Sequence, residues 1–271
     1  MRSLLILLAT AALLPAAQVT HDIEYVKRGD TPLRLDASVP DGKCPFPAVI
    51  LIHGGGFERG NKVTYIGPLF QPLTAAHFAW FTIDYRLSPA AKLPDMVDDV
   101  LSAMQWLRAH AGEYKVDLKR VALVGESAGA YLADMAAMKA PPETPVAAVV
   151  SFYGPHDLLM MVRAHGLSES MKKLAGVSTL DDAGERRMRA LSPYYQVREG
   201  LPPFLLPHGS ADEQVPYEQS PRFCEALKAK GVACELYTVP GARHGMGAWE
   251  EHAEQLGYKV RVIEWLREKL R

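Results

Sequence analysis

Ser127 sits in the run Gly125-Glu126-Ser127-Ala128-Gly129. The run follows the apolar segment Val121–Val124 and precedes a helical pattern at Ala128–Lys139. A serine between glycines at a strand-to-helix junction suits a nucleophile elbow, because glycines let the chain reverse without Cβ clashes. The hydroxyl then stands at a helix N-terminus, where the dipole favours developing negative charge. Read without that context, the same pattern is a tight turn with a capping serine. A second glycine run, His53-Gly54-Gly55-Gly56-Phe57, follows the apolar segment Val49–Ile52. Glycines there allow backbone N–H groups to approach and hold an oxyanion. Together the two runs point to nucleophilic acyl chemistry.

A hydroxyl needs a base to take its proton. In a fold of this kind the base follows the serine, so the candidates are His208, His244 and His252. His244 is the expected base, because Gly241-Ala242-Arg243-His244-Gly245 falls in a loop between the last strand and the last helix. His252 is expected on the exposed face of that helix, and His208 in a structural role at a strand end. The acid should lie between serine and base in chain order. Asp212 leaves a strand end in His208-Gly209-Ser210-Ala211-Asp212. Its rival, Asp157, precedes Leu158–Val162 and reads as a helix N-cap. Asp212 is therefore expected to hold His244 in the right tautomer.

HGGGF at 53–57, DYRLSP at 84–89, GESAG at 125–129, HGSADEQVP at 208–216 and GARHG at 241–245 resemble the small esterases related to hormone-sensitive lipase. The resemblance covers nearly all of the chain after its first residues. It implies an α/β-hydrolase fold with a Ser-His-Asp triad. It implies that the N–H groups of Gly55, Gly56 and Ala128 form the oxyanion hole, and that Tyr85 and Arg86 brace the glycine loop. The stretch between Ala17 and His53 is too short for two strands plus the helical N-terminal cap usual in that group. In this the chain looks closer to capless, exported bacterial esterases resembling feruloyl and acetyl-xylan esterases.

The elements that must position these residues follow from periodicity. Ile23–Arg28 and Leu33–Val39 alternate apolar and polar residues, as an antiparallel pair would. Ala48–Ile52, Ala79–Ile83, Val121–Val124 and Val146–Phe152 are nearly all apolar, as strands buried on both faces of a parallel sheet are. Helices are expected over Val63–His77, Pro94–His110, Ala128–Lys139, Tyr217–Lys230 and Gly247–Leu270. Phe204–Pro207 and Cys234–Val239 are the last expected strands. Residues 156–200, rich in Met, Lys, Arg and Asp, interrupt the alternation and are expected to form an insertion over the sheet edge. Within it, Met160, Met161 and Val162 are expected to pack on the core. The rhythm argues one mostly parallel sheet with helices on both faces.

The formal net charge of −1 implies no nucleic-acid partner and no anionic membrane surface. Residues 1–17 carry Arg2, the apolar run Leu4–Leu14 and the small pair Ala16–Ala17, which reads as a secretory signal rather than a stable membrane anchor. Residues 18–271 then form a single domain in an oxidising compartment. Of the 3 cysteines, Cys224 and Cys234 are the expected bridge, with Cys44 left over. No Cys/His spacing resembles a metal site, and the chemistry needs no cofactor. The sequence is read as an exported serine carboxylesterase acting on short acyl esters of small molecules or plant polysaccharide, acetyl or feruloyl groups among them. A serine peptidase and a non-catalytic ligand-binding protein share the scaffold and are the two alternatives. The sequence leaves the oligomeric state open.

Overall fold

A computed structural model describes residues 18–271. The expected signal segment lies outside the described residues. The first two strands, β1 (Val19–Arg28) and β2 (Thr31–Ser38), form an antiparallel pair. β3 (Phe46–Ile52) and β4 (Ala79–Ile83) are parallel to each other, with β2 joined antiparallel to β4. β5 (Val116–Glu126), β6 (Ala148–Phe152), β7 (Phe204–Gly209) and β8 (Cys234–Val239) continue the sheet in parallel. The order is β1-β2-β4-β3-β5-β6-β7-β8 across 8 strands.

Strand alternation explains why both faces are covered. In β3, Ala48, Ile50 and Ile52 enter one apolar cluster, while Val49 and Leu51 enter the other. In β5, Val121 and Leu123 divide in the same way from Ala122 and Val124. Successive side chains point to opposite faces, so a strand apolar at every position needs a layer on each side. The first face receives α2 (Leu93–His110), α3 (Ala128–Lys139), α4 (Leu158–His165), α5 (Glu169–Ala175), α6 (Asp182–Leu191) and α7 (Gln219–Ala229). The second receives α1 (Phe70–Ala75), α8 (Met246–Trp249) and α9 (Gly257–Lys269). α3 is buried from Ala128 to Met138, so the helix behind the nucleophile is locked in the core.

Two expected helices are shorter than their patterns. Over Val63–His77 only α1 and a preceding 3₁₀ turn at Gly67–Leu69 are helical. The Asn61 carbonyl and side chain capture the N–H groups of Thr64 and Val63, and Pro68 lacks the N–H that an earlier helix would need. Over Gly247–Leu270 the chain forms α8, a turn, a 3₁₀ segment at Ala253–Gln255 and then α9. Trp249 is fully buried against Phe152, Tyr153 and Tyr258, and its Nε1–H donates to Arg243 O. Sinking that indole bends the path away from one continuous helix. His252 consequently lies in the turn, exposed as expected but not on a helix.

Between β6 and β7 the chain forms no strand. It folds into α4, α5, α6 and a 3₁₀ turn at Pro193–Gln196. Asp157, Ser168 and Asp181 cap the three helices by accepting from Met160 N, Met171 N and Gly184 N. Cys224 on α7 and Cys234 at the start of β8 are bonded, with Cα atoms 5.5 Å apart, and Cys44 is exposed and free.

Candidate active site

β5 delivers Ser127 at its carboxyl end. The residue adopts φ 53° and ψ −116°, a conformation that non-glycine residues rarely take. The turn is possible only because its flanks are glycines. A Cβ on Gly125 would lie 2.1 Å from Gly129 O, and one on Gly129 would lie 2.1 Å from Ile52 O. The surrounding backbone therefore fixes the strain, and the hydroxyl projects from the start of α3.

Ser127 Oγ lies 2.9 Å from His244 Nε2, and His244 Nδ1 lies 2.6 Å from Asp212 Oδ2. A carboxylate accepts, so Nδ1 carries the hydrogen and the Nε2 lone pair is free for the serine proton. Asp212 leaves β7 and is held from behind, its Oδ1 accepting the N–H groups of Gln214 and Val215 at 2.9 Å each. His208 Nε2 lies 3.3 Å from Asp212 Oδ2. Burial works against the Asp212 charge, but the hydrogen bonds from His208 and His244 overcome it and hold this carboxyl well below the usual range. Tyr153 sets its ring edge-on to His244 with centroids 4.8 Å apart.

The residues nominated from sequence divide cleanly. Ser127, His244 and Asp212 meet. Asp157 does not join them: its Oδ1 accepts from Met160 N at 3.0 Å as an N-cap, and its Oδ2 faces Tyr195 and Arg222. His208 is buried behind the triad, and His252 lies on the surface. Gly55, Gly56 and Ala128 line the same cavity as Ser127 and His244. No described residue accepts a hydrogen bond from the N–H groups of those three. Tyr85 does brace the glycine loop, donating to His53 O at 2.9 Å and stacking on the His53 ring at 4.4 Å. Arg86 braces it only at a distance, since its guanidinium is engaged by Asp99 and Asp95 O.

Sequence reasoning missed Glu126. This carboxylate is buried and accepts Gly54 N at 2.6 Å, tying the elbow to the glycine loop. Burial raises its pKa, opposed by the nearby His244 and by the Gly54 N–H. The only signal was an acid in the variable position before the nucleophile, at the end of an otherwise apolar strand.

The cavity has a volume of about 480 Å³. Phe57, Leu158, Met161, Met171 and Leu174 make its apolar wall, and Arg59, Ser168, Ser170 and Gln214 make its polar rim. The Met160–Val162 run, expected on the core, is divided. Val162 is buried in the core, Met160 contacts Arg222, and Met161 faces the cavity. Consecutive helical positions point about 100° apart, so one short helix serves core, surface and site together. Among the described residues no cluster of His, Cys, Asp or Glu side chains could hold a metal ion, and no helix is long and apolar enough to cross a membrane.

The fold and this constellation define an α/β-hydrolase with a serine, histidine and aspartate set. The chain belongs to the BD-FAE family, whose match spans residues 35–227. It is 32% identical over 216 residues to "Esterase LipC" of Mycobacterium tuberculosis, covering 74% of this chain and 53% of that one. The chain thus spans about half the length of the curated relatives it matches. Among solved structures it resembles Est2 of Thermogutta terrifontis with propionate bound, at 28% identity and a TM-score of 0.74, with 96% of each chain covered. A truncated carbohydrate esterase from gut microbiota shares the fold at a TM-score of 0.82 and 24% identity, covering 95% of this chain and 98% of that one.

Proposed function

We propose that this chain is an exported serine carboxylesterase that hydrolyses short-chain acyl esters, with acetyl or feruloyl groups on plant polysaccharide as its natural substrates. The observation that carries the reading is the Ser127–His244–Asp212 alignment opening onto a cavity flanked by three unengaged backbone N–H groups. Ser127 Oγ attacks the ester carbonyl carbon as His244 Nε2 takes its proton. The oxyanion is received by the N–H groups of Gly55, Gly56 and Ala128. Asp212 stabilises the imidazolium that forms. Collapse of the intermediate expels the alcohol, which takes its proton from His244. Water then attacks the acyl-enzyme, giving up a proton to His244, and as the second intermediate collapses His244 returns that proton to Ser127 Oγ, releasing the acid and free Ser127. The group requires no cofactor.

The short-acyl preference rests on the wall and on kinship. The wall residues Leu158, Met161, Met171 and Leu174 enclose limited room, and the related Est2 binds propionate. The polar rim leaves a sugar alcohol a hydrated approach. The Cys224–Cys234 bond and the apolar run Leu4–Leu14 support the exported location. The test is kcat/KM across an ester chain-length series, followed by acetylated and feruloylated xylan, with fluorophosphonate labelling of Ser127. The expected optimum lies from acetyl to butyryl, with label lost in Ser127→Ala. An optimum at the octanoyl ester or longer overturns the short-acyl reading, and absence of labelling overturns the esterase reading itself.

A further inference from the structure

A line of buried polar groups continues from the triad into the core, and the proposed reaction uses none of them. His208 Nε2 lies 3.1 Å from Val215 O and 3.3 Å from Asp212 Oδ2. His208 Nδ1 lies 2.7 Å from Ser220 Oγ. Ser220 Oγ lies 3.3 Å from His156 Nε2, and His156 Nδ1 lies 2.8 Å from Asp134 Oδ2. His156, His208, Asp134 and Ser220 are all 0% exposed. They come from β7, α7, the segment after β6, and α3. Asp134 Oδ1 and Ser151 Oγ are the buried side-chain polar atoms without a hydrogen-bond partner among the described residues.

The hydrogens along this line can be assigned from their partners. His208 Nε2 faces a carbonyl and a carboxylate, both acceptors, so it carries a hydrogen. In neutral His208 the Nδ1 atom is then an acceptor, and Ser220 donates to it. Ser220 has one hydrogen, so it must accept from His156 Nε2. His156 Nδ1 and Asp134 still need a hydrogen between them. Four links require four hydrogens, whereas an ionised Asp134, a serine and two neutral histidines supply only three.

We propose that Asp134, His156, Ser220 and His208 form a positioning relay behind the triad. In it Asp134 and His156 share one additional proton as a net-neutral pair, and His208 is thereby locked in the tautomer whose Nε2–H donates to Val215 O and lies 3.3 Å from Asp212 Oδ2. The same four hydrogens could instead place the charge on His208. Burial decides against that arrangement. It would leave Asp134 ionised in the core, with Oδ2 accepting from a neutral His156, Oδ1 without a partner and no positive charge beside it, where an uncompensated charge is costly. Burial likewise raises the Asp134 pKa, against the opposing influence of His156 and of the nearby Ser151 hydroxyl. Asp212, by contrast, already receives two backbone N–H groups and His244. Donation from Ser220 into His208 Nδ1 polarises the ring and strengthens its Nε2–H as a donor. None of the relay residues touches the substrate; each acts through Asp212.

The proposal rests on the esterase reading for its kinetic arm but not for its spectroscopic one. In the intact protein at neutral pH, ¹⁵N imidazole NMR should report His208 protonated at Nε2 alone and His156 protonated at Nε2. Protonation of His208 at Nδ1 overturns the relay, whether or not the protein cleaves esters. In kinetics, Ser220→Ala should lower kcat about 3- to 10-fold, the worth of one hydrogen bond, with KM unchanged. Asp134→Asn, whose amide can donate where the shared proton did, should keep the His208 signature and recover most of the kcat that Asp134→Ala loses. Wild-type kcat in Ser220→Ala overturns the positioning role. If the Ala variants fail to fold, the wild-type spectrum still decides. A protein with the expected spectrum but no ester turnover fails the proposed function and leaves the relay standing.

Discussion

Two regions share the cavity and are built in opposite ways. The elbow and glycine loop are rooted in the core, with only Gly55, Gly56 and Ser127 opening toward the cavity, and are fixed by backbone geometry at Gly54, Gly125, Ser127 and Gly129. The α4–α6 insertion is short-helical and held at its surface by ion pairs such as Arg163–Glu185 and Lys172–Glu169. Exposed pairs of this kind each contribute about 0–1 kcal/mol, so the insertion depends on its caps and on Leu158, Val162, Leu174 and Met188 entering the core. The difference separates tasks. Charge development at the carbonyl needs donors that do not move, and a packed backbone provides them. Choice of acyl group needs a wall that can change without disturbing those donors, and an insertion capped on its own residues provides that.

The sharpest break of this comparison is a pair of aspartates, one after β7 holding His244 on the fixed side and one capping the insertion. Asp212→Asn should lower kcat by roughly 10⁴-fold, the scale known for loss of a triad acid. Asp157→Asn should change turnover little and stability by no more than a few tenths of a kcal/mol, since asparagine caps a helix about as well as aspartate. Steady-state kinetics and urea unfolding on both variants test this, and the reverse ranking would move the acid into the insertion.

The buried face also predicts a pH response. Burial pushes the His53 pKa down from 6.5 to about 4, with the Gly54 carbonyl opposing. The folded value is below the unfolded one, so the unfolded chain binds more protons between them. Stability should therefore fall as pH drops from about 6.5 towards 4, by roughly 2–3 kcal/mol from this residue. Chemical unfolding of wild type and His53→Gln at neutral and mildly acidic pH checks it, since the variant should lack this part of the slope.

Gly54→Ala probes the contact between elbow and glycine loop. The added Cβ would fall 2.0 Å from Glu126 Oε1 and 2.9 Å from Glu126 O, so the loop must shift. Displacing oxyanion donors costs up to about 10²–10³ in kcat, and a loss of that order with a nearly unchanged KM is expected. The smallest effect belongs to the insertion. Leu174→Ala or Met161→Ala enlarges the wall and should move the acyl-length optimum upward. Each methylene newly accommodated contributes about 0.8 kcal/mol, roughly fourfold in kcat/KM. A change in kcat for the shortest ester equal to that of Gly54→Ala would show that the two regions are not separable.

The local signals in the sequence carried far. The order of the strands, the elbow, the glycine loop, His244 in its loop, the meeting of His244 with Asp212 rather than Asp157 and the Cys224–Cys234 pair were legible, because each depends on residue type and spacing along one short stretch. A strand apolar at every position has to be covered on both faces, and a glycine beside a serine at a strand end has to turn sharply. What the tertiary structure alone decided involves partners distant in sequence. Asn61 and Pro68 cut short one helical pattern, and burial of Trp249 broke another. The direction of Met161 into the cavity depends on how α4 rolls against the core. Glu126 reaching Gly54, and the line from Asp212 through His208 and Ser220 to His156 and Asp134, exist only after the sheet has brought five chain segments together. A buried polar group is defined by what satisfies it, and that partner is set by packing rather than by neighbours in the chain.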